Sequence, residues 1–295
     1  MKWLGFIAVL FFVLSCAPSP EIIEEGNHIH ALAFDPTEPG AMYVATHHYL
    51  EKWDLGTGKK ERLGNDDYMG FVIASDGTFY SSGHSLAVSN VGIRKSSDKG
   101  RTWQTVAYEG IDFHDMVVDY YDPKQIYAWS TPPDSFLAAY NQWTDQWQNI
   151  TPLGLPGEIL SLAAEQVSSE DVERDQWALT TVYAGTLYGL FFSVDGGRTW
   201  KQDTTLENVP VIAIADTLAV DGVLTVATPD HILQKIEKNE GGKRERAWQD
   251  ITANFNQKKE GITFLTTADR VAVYGVTKHS KIYRYLEGNW EEVNP

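Results

Sequence analysis

Cysteine is almost absent from this 295-residue chain, which contains one, Cys16. A lone thiol excludes an intrachain disulfide, an all-cysteine zinc site and an iron–sulfur cluster held by this chain alone. Basic residues are also scarce, 24 Lys and Arg against 40 Asp and Glu, giving a formal charge of -16. A surface of that sign repels phosphate, so nucleic acid is a poor partner and anionic lipid headgroups would not hold the protein by charge. No apolar run reaches the ~20 residues a spanning helix needs. Phosphate loops (Gly-x-x-x-x-Gly-Lys), nucleophile elbows (Gly-x-Ser-x-Gly) and the zincin pattern (His-Glu-x-x-His) are missing. No segment sustains amphipathic-helix periodicity. What is present, 43% hydrophobic and 12% aromatic residues, suffices for a core and excludes disorder.

The single cysteine gains meaning from its position. Lys2 is followed by an apolar run from Trp3 to Leu14 and then by Ser15 and Cys16, the layout of a signal peptide whose apolar segment is too short to remain as an anchor. Val13-Leu14-Ser15-Cys16 resembles the bacterial lipobox. The resemblance implies cleavage before Cys16, diacylation of its sulfur, and attachment to the outer face of the cell membrane. The expected organisation is a signal peptide over 1–15, a lipidated cysteine and polar tether over 16–27, and a folded domain over 28–295.

That domain contains an internal repeat. Residues 96–103 and 193–200 both read S-x-D-x-G-x-T-W, through Ser96, Asp98, Gly100, Thr102 and Trp103 and through Ser193, Asp195, Gly197, Thr199 and Trp200. They resemble the Asp-box, or BNR repeat, of sialidases, sortilin-like domains and photosystem assembly factors, where the motif is a turn between the outer strands of a propeller blade. The chemistry agrees: Asp and Gly make the turn, hydroxyls bond local backbone, and Trp packs between blades. This is a structural role for both aspartates. Trp53, Trp103, Trp147, Trp200, Trp248 and Trp290 then mark six units about 40–50 residues long. Each unit has an apolar run (29–33, 68–72, 113–117, 159–163, 211–215, 262–266) followed by a second β-rich run (42–46, 78–82, 125–129, 181–185, 223–227, 271–275). The expectation is an all-β protein, a β-propeller of six four-stranded blades, with seven as the alternative. A polar insertion over 165–176 reads as a loop. Residues 21–25 could add an edge strand to the last blade. Closure through side-chain packing alone would give Trp53 and Trp290 the largest share in stability.

Aligned on their second residue, the first runs give the column His30, Met69, His114, Leu160, Ile212, Thr263. The ends of the second runs give His48, His84, Thr131, Leu187, Pro229, Thr277. Six of the eight histidines lie between positions 28 and 114, so the mouth of the channel over units one to three is the expected functional surface. His30, Met69, His84 and His114 are its candidate ligand-binding residues. His28 and His30, two apart on a strand, face one side and with His114 are candidate ligands for copper or zinc; Met69, His84, His47 or His48 could complete the set.

A hydrolase is the competing reading. Sialidases hold a carboxylate with three channel arginines, and the N-terminal strand here contains none, with Arg101 and Arg198 inside the repeat turns. Other glycosidases need two carboxylates across a cleft. Asp66, Asp67, Asp112, Asp115 and Glu158 are available, and Asp115, beside His114, with Glu158 are the candidate catalytic pair. Exposed aromatics such as Tyr68, Trp129 and Trp143 could stack on sugar rings. The lipobox, the histidine-bearing runs and the repeat turns together resemble a group of bacillus-type propeller lipoproteins labelled as glycosyl hydrolases. The expected protein is a monomeric, lipid-anchored propeller that binds a protein or a glycan.

Overall fold

The computed structural model describes residues 27–85, 89–119, 122–133, 135–141, 144–166, 180–215, 223–240, 243–268 and 272–294. Cys16, the segments 1–15 and 21–25, Trp143 and most of the 165–176 insertion lie outside them.

Among the described residues, twenty-four strands form six four-stranded antiparallel sheets, each a contiguous meander. Blade one is β1 (Ile29–Phe34), β2 (Ala41–Thr46), β3 (Leu50–Asp54) and β4 (Lys60–Gly64). Blade two is β5 (Gly70–Ile73), β6 (Phe79–Ser82), β7 (Ile93–Ser96) and β8 (Gln104–Ala107). Blade three is β9 (Phe113–Val118), β10 (Ile126–Ser130), β11 (Leu137–Asn141) and β12 (Gln146–Ile150). Blade four is β13 (Ser161–Gln166), β14 (Thr180–Thr186), β15 (Gly189–Ser193) and β16 (Lys201–Gln202). Blade five is β17 (Ala213–Ala215), β18 (Thr225–Ala227), β19 (Ile232–Glu240) and β20 (Lys243–Asp250). Blade six is β21 (Ile262–Ala268), β22 (Ala272–Thr277), β23 (Ile282–Leu286) and β24 (Asn289–Glu292). The first strands of successive blades touch in order, and β21 meets β1. The ring is a six-bladed β-propeller.

Stacking the blades face to face explains the sequence pattern. A second strand has a neighbouring blade on each side, so β2, β6, β10 and β14 are buried along their whole length and read as continuous apolar runs. The outer strands β4 and β8 face solvent and are mostly polar. Six clusters of buried apolar side chains occupy the six gaps between neighbours. Each of the six phasing tryptophans enters the gap between its own blade and the one before it. Trp290 therefore packs on Ile251 and Phe255 after blade five, not at the closure of the ring as the sequence suggested. Trp53 does reach that closure, from β3 rather than from a fourth strand.

Both S-x-D-x-G-x-T-W segments form the turn between the third and fourth strands, with the same bonds. Ser96 Oγ accepts from Gly100 N (2.9 Å), Asp98 Oδ1 accepts from Thr102 N (2.8 Å), Asp98 Oδ2 accepts from Thr102 Oγ1 (2.6 Å), and Trp103 Nε1 donates to Gly100 O (3.0 Å). Ser193, Asp195, Gly197, Thr199 and Trp200 repeat this pattern. Gly100 has φ 81°, and a Cβ there would lie 2.6 Å from Leu50 of blade one, so only glycine fits. The donors on Asp98 hold its carboxyl down at about 2.

The ring closes without an exchanged strand among the described residues, since blade one is wholly N-terminal and blade six wholly C-terminal. Packing of Leu32, Met42 and Val44 against Tyr274, Val276 and Ile282 joins them, and Ile29 N donates to Ser280 Oγ (3.2 Å).

Candidate functional site

At the start of each inner strand one residue is set out of the ladder toward the channel mouth, by a bulge in blades one, three and six. In β1, Ile29 pairs with Thr46 and Ala31 with Ala45, leaving His30 as an extra residue. His114 between Phe113 and Asp115, and Thr263 between Ile262 and Phe264, are extra in the same way. Met69, Leu160 and Ile212 donate their N–H to Ser82, Gly185 and Ala227, the residues that also pair with Gly70, Ser161 and Ala213. An unpaired residue in an antiparallel ladder is turned out of the pleat. All six are at least partly exposed, whereas Ala31, Gly70, Phe113, Ser161, Ala213 and Ile262 beside them are buried.

The second column does not share one structural position. The second strands end on a buried hydroxyl in every blade: Thr46, Ser82, Ser130, Thr186, Thr228 and Thr277. In five of these, Oγ bonds the backbone of the following turn; Ser82 Oγ instead accepts from Phe113 N of the next blade (3.1 Å). Thr277 belongs to this set, so the sequence column was in register there but one or two residues late elsewhere. The recurring hydroxyl was visible in the sequence and was missed.

On blades one to three the mouth carries a chain of imidazoles and carboxylates. His28 and His30, at the start of β1, meet the ring of His47, with centroids 5.9 and 4.2 Å away. His47 follows β2 and is tied by its N–H to His28 O (3.2 Å). Its Nδ1 donates to Asp67 Oδ2 (2.9 Å), which also accepts from His84 Nδ1 (3.2 Å). His84 Nε2 lies 3.7 Å from Asp112 Oδ2, and His114 Nε2 donates to that oxygen (2.8 Å). Asp67 and Asp112 lie in the loops before β5 and β9, so each carboxylate comes from the connection into a new blade. Asp67 is fixed by a pair of backbone bonds with His84. Gly83 makes the approach feasible, because a Cβ there (φ 133°) would lie 2.9 Å from Met69 N and closer still than that to Asp67 O.

Within this array of imidazoles and carboxylates, His30 Nε2, Asp67 Oδ1 and Asp112 Oδ1 are buried without a hydrogen-bond partner. His30 Nε2 and Asp67 Oδ1 face each other at 4.0 Å. Burial, reinforced by His47, His114 and His28, pushes the His30 pKa down to about 4, so its ring is neutral at pH 7. One ligand-capable atom each from His30, His47 and Asp67 lie within 4.8 Å of one another. Of the three predicted metal ligands the geometry gathers His30 with His47 and Asp67; His28 stands beside His47, and His114 is held on Asp112.

The proposed catalytic pair is engaged otherwise. Asp115 accepts from Leu162 N and from the Ser161 hydroxyl, across the gap from blade three to blade four. Burial pushes its carboxyl up to about 7. Glu158, in the loop before β13, accepts from Trp129 Nε1 (3.0 Å) and Ser135 Oγ (3.1 Å). Below the mouth, the channel holds a cavity of about 410 Å³ lined by Leu32, Phe71, Asp115, Met116, Leu162 and Phe264, among others, and by none of the histidines. Arg94 is buried against Asp66 and stacks on Tyr68 and Trp103. Over blade four the rim turns apolar, with Leu160, Leu187 and Tyr188 exposed.

No family model matches the chain. A xyloglucanase from Paenibacillus sp. is 24% identical over 198 residues, 59% of this chain and 16% of the relative, so the chain spans a small part of that protein. Among solved structures, the Cps50 (Swd1) β-propeller domain of Myceliophteria thermophila superimposes with a TM-score of 0.57 at 12% identity, covering 90% of this chain and 85% of that one. The extracellular domain of a hybrid two-component system from B. thetaiotaomicron gives 0.57 at 12%, covering 92% of this chain and 34% of that one. At such identities the likeness concerns the fold, and the class of protein defined so far is a six-bladed propeller with weak similarity to a glycosidase.

Proposed function

We propose that this protein is an extracytoplasmic binding module, lipid-anchored through Cys16, that takes its ligand on the mouth over blades one to three. The observation that carries the reading is the His30–His47–Asp67–His84–Asp112–His114 array, which combines donors and acceptors from three blades on one surface. A glycan is the favoured ligand: blades one to three supply polar groups that can fix hydroxyls, and blade four exposes Tyr188, a face on which a sugar ring can stack. The repeated Asp-box turns serve to build blades.

Hydrolysis is the second reading, supported by the similarity to a xyloglucanase. Against it, Asp115 and Glu158 are both committed to contacts within the fold. Incubating the purified chain with xyloglucan and other β-glucans, while measuring reducing-end release and retardation in affinity electrophoresis, separates the two. The module reading predicts retardation that weakens in Asp112→Asn, with no release. Turnover that disappears in Asp115→Asn and Glu158→Gln would overturn it. A protein ligand would be indicated by capture that survives excess glycan.

A further inference from the structure

We infer that His30, His47 and Asp67 bind a divalent transition metal of the zinc class at the channel mouth. The inference rests on reading the mouth as the binding surface and names what that surface holds. His30 Nε2 and Asp67 Oδ1 are each buried, unpartnered and directed at one another across 4.0 Å. That separation is too long for a hydrogen bond, which closes to about 2.8 Å. It is only about half an ångström longer than the separation of two ligand atoms around a tetrahedral zinc ion with bonds of about 2.0–2.2 Å. With the His30 proton on Nδ1, its Nε2, like a carboxylate oxygen, can only accept, so a cation between them satisfies both.

The third donor is a ring nitrogen of His47, within 4.8 Å of the other two ligand atoms. A tetrahedral site needs ligand atoms about 3.3–3.5 Å apart, so the three side chains close by roughly an ångström around the ion. Two nitrogens and one oxygen suit zinc or copper(II), and calcium or magnesium poorly. The outer partners are in place. His84 Nδ1 bonds Asp67 Oδ2 and continues to Asp112, which in turn holds His114. This makes His84 a positioning residue for the carboxylate ligand. Three protein ligands leave a coordination position open toward the mouth, where a ligand oxygen or water can bind.

The histidine–carboxylate pair at the outer end of blade five, His231 with Asp250, is exposed and carries no orphaned atom. It provides an internal control. The test is isothermal titration of untagged, chelator-treated protein with ZnCl2, with CaCl2 alongside. The expected result is one zinc per chain and no calcium, binding lost in His30→Gln and Asp67→Asn, and binding unchanged in His231→Ala. His84→Ala should weaken zinc about 10–100-fold without abolishing it. Circular dichroism checks folding, and His30→Gln decides the matter if Asp67→Asn misfolds, since His30 Nε2 makes no hydrogen bond that the substitution would break. No stoichiometric zinc on the folded wild-type chain, or undiminished zinc in His30→Gln, would overturn the inference. Glycan retardation by a folded chain that takes up no zinc would refute the metal alone; zinc uptake without any glycan or protein ligand would refute the module reading and leave the metal site standing.

Discussion

Asp67 and Asp115 carry the same functional group in opposite surroundings. Asp67 is ringed by imidazoles at the mouth, whereas Asp115 lies in the channel wall, where desolvation outweighs the hydrogen bonds it accepts. The pH dependence of stability should expose this difference. Asp115 titrates near 7 in the folded chain and near ~3.9 when unfolded. Between these values the unfolded chain releases a proton that the folded chain keeps, so stability falls as pH rises from 4 to 7, by an amount on the order of a few kcal/mol. Asp115→Asn has no proton to release. Its thermal midpoint relative to wild type should therefore rise between pH 4 and pH 8; a constant difference would contradict the burial argument. The repeat turns give a second residue-level prediction. Ser193 is buried and its Oγ accepts from Gly197 N, so Ser193→Ala strands a backbone donor and should cost about 1–3 kcal/mol in urea unfolding. These turns were readable from the sequence because their chemistry is local. Of the proposed metal set, His30 and His47 stood among the sequence candidates for metal ligands, but Asp67 did not, because it comes from the loop into the next blade and nothing in its spacing from His30 shows that the two meet.

At the level of elements, the inner strands and the second strands were read with unequal success for a physical reason. An extra residue, bulged in three blades and sharing its neighbour's carbonyl partner in the other three, recurs at the start of every inner strand, so aligning His30, Met69, His114, Leu160, Ile212 and Thr263 follows a real structural column. The turns after the second strands differ in length, and only the hydroxyl that closes each strand is constant. Gly83 shows how an element places a functional group, since it lets the Asp67 backbone approach β6. Gly83→Ala should displace that loop and weaken zinc binding more than it lowers the thermal midpoint, which titration and melting together would reveal. The gaps between blades set the energetic scale. Trp290 is almost fully buried between blades five and six, and Trp290→Ala should cost about 3–5 kcal/mol. Trp53 is only half-buried at the closure and should cost less. Hydrogen exchange in Trp290→Ala should rise first in blades five and six; uniform loss of protection across the ring would contradict this assignment.

For the whole molecule, six units of similar length and a strongly acidic composition define a ring that charge alone would not hold at an anionic membrane surface. If Cys16 is the attachment, Cys16→Ala should release the chain from the membrane fraction, and unchanged retention would contradict the anchor. The ring's polar and apolar sectors are unequal. Histidines and carboxylates converge over blades one to three, leucine and tyrosine line the rim over blade four, and the central cavity is separate from both. The account therefore places the chemistry at the mouth and not in the central cavity. Diffraction at the zinc absorption edge from crystals grown with zinc tests this most directly. The account predicts one anomalous peak within bonding distance of His30 Nε2 and Asp67 Oδ1. An ordered mouth with no peak, or a peak elsewhere on the ring such as beside His231 and Asp250, would contradict it.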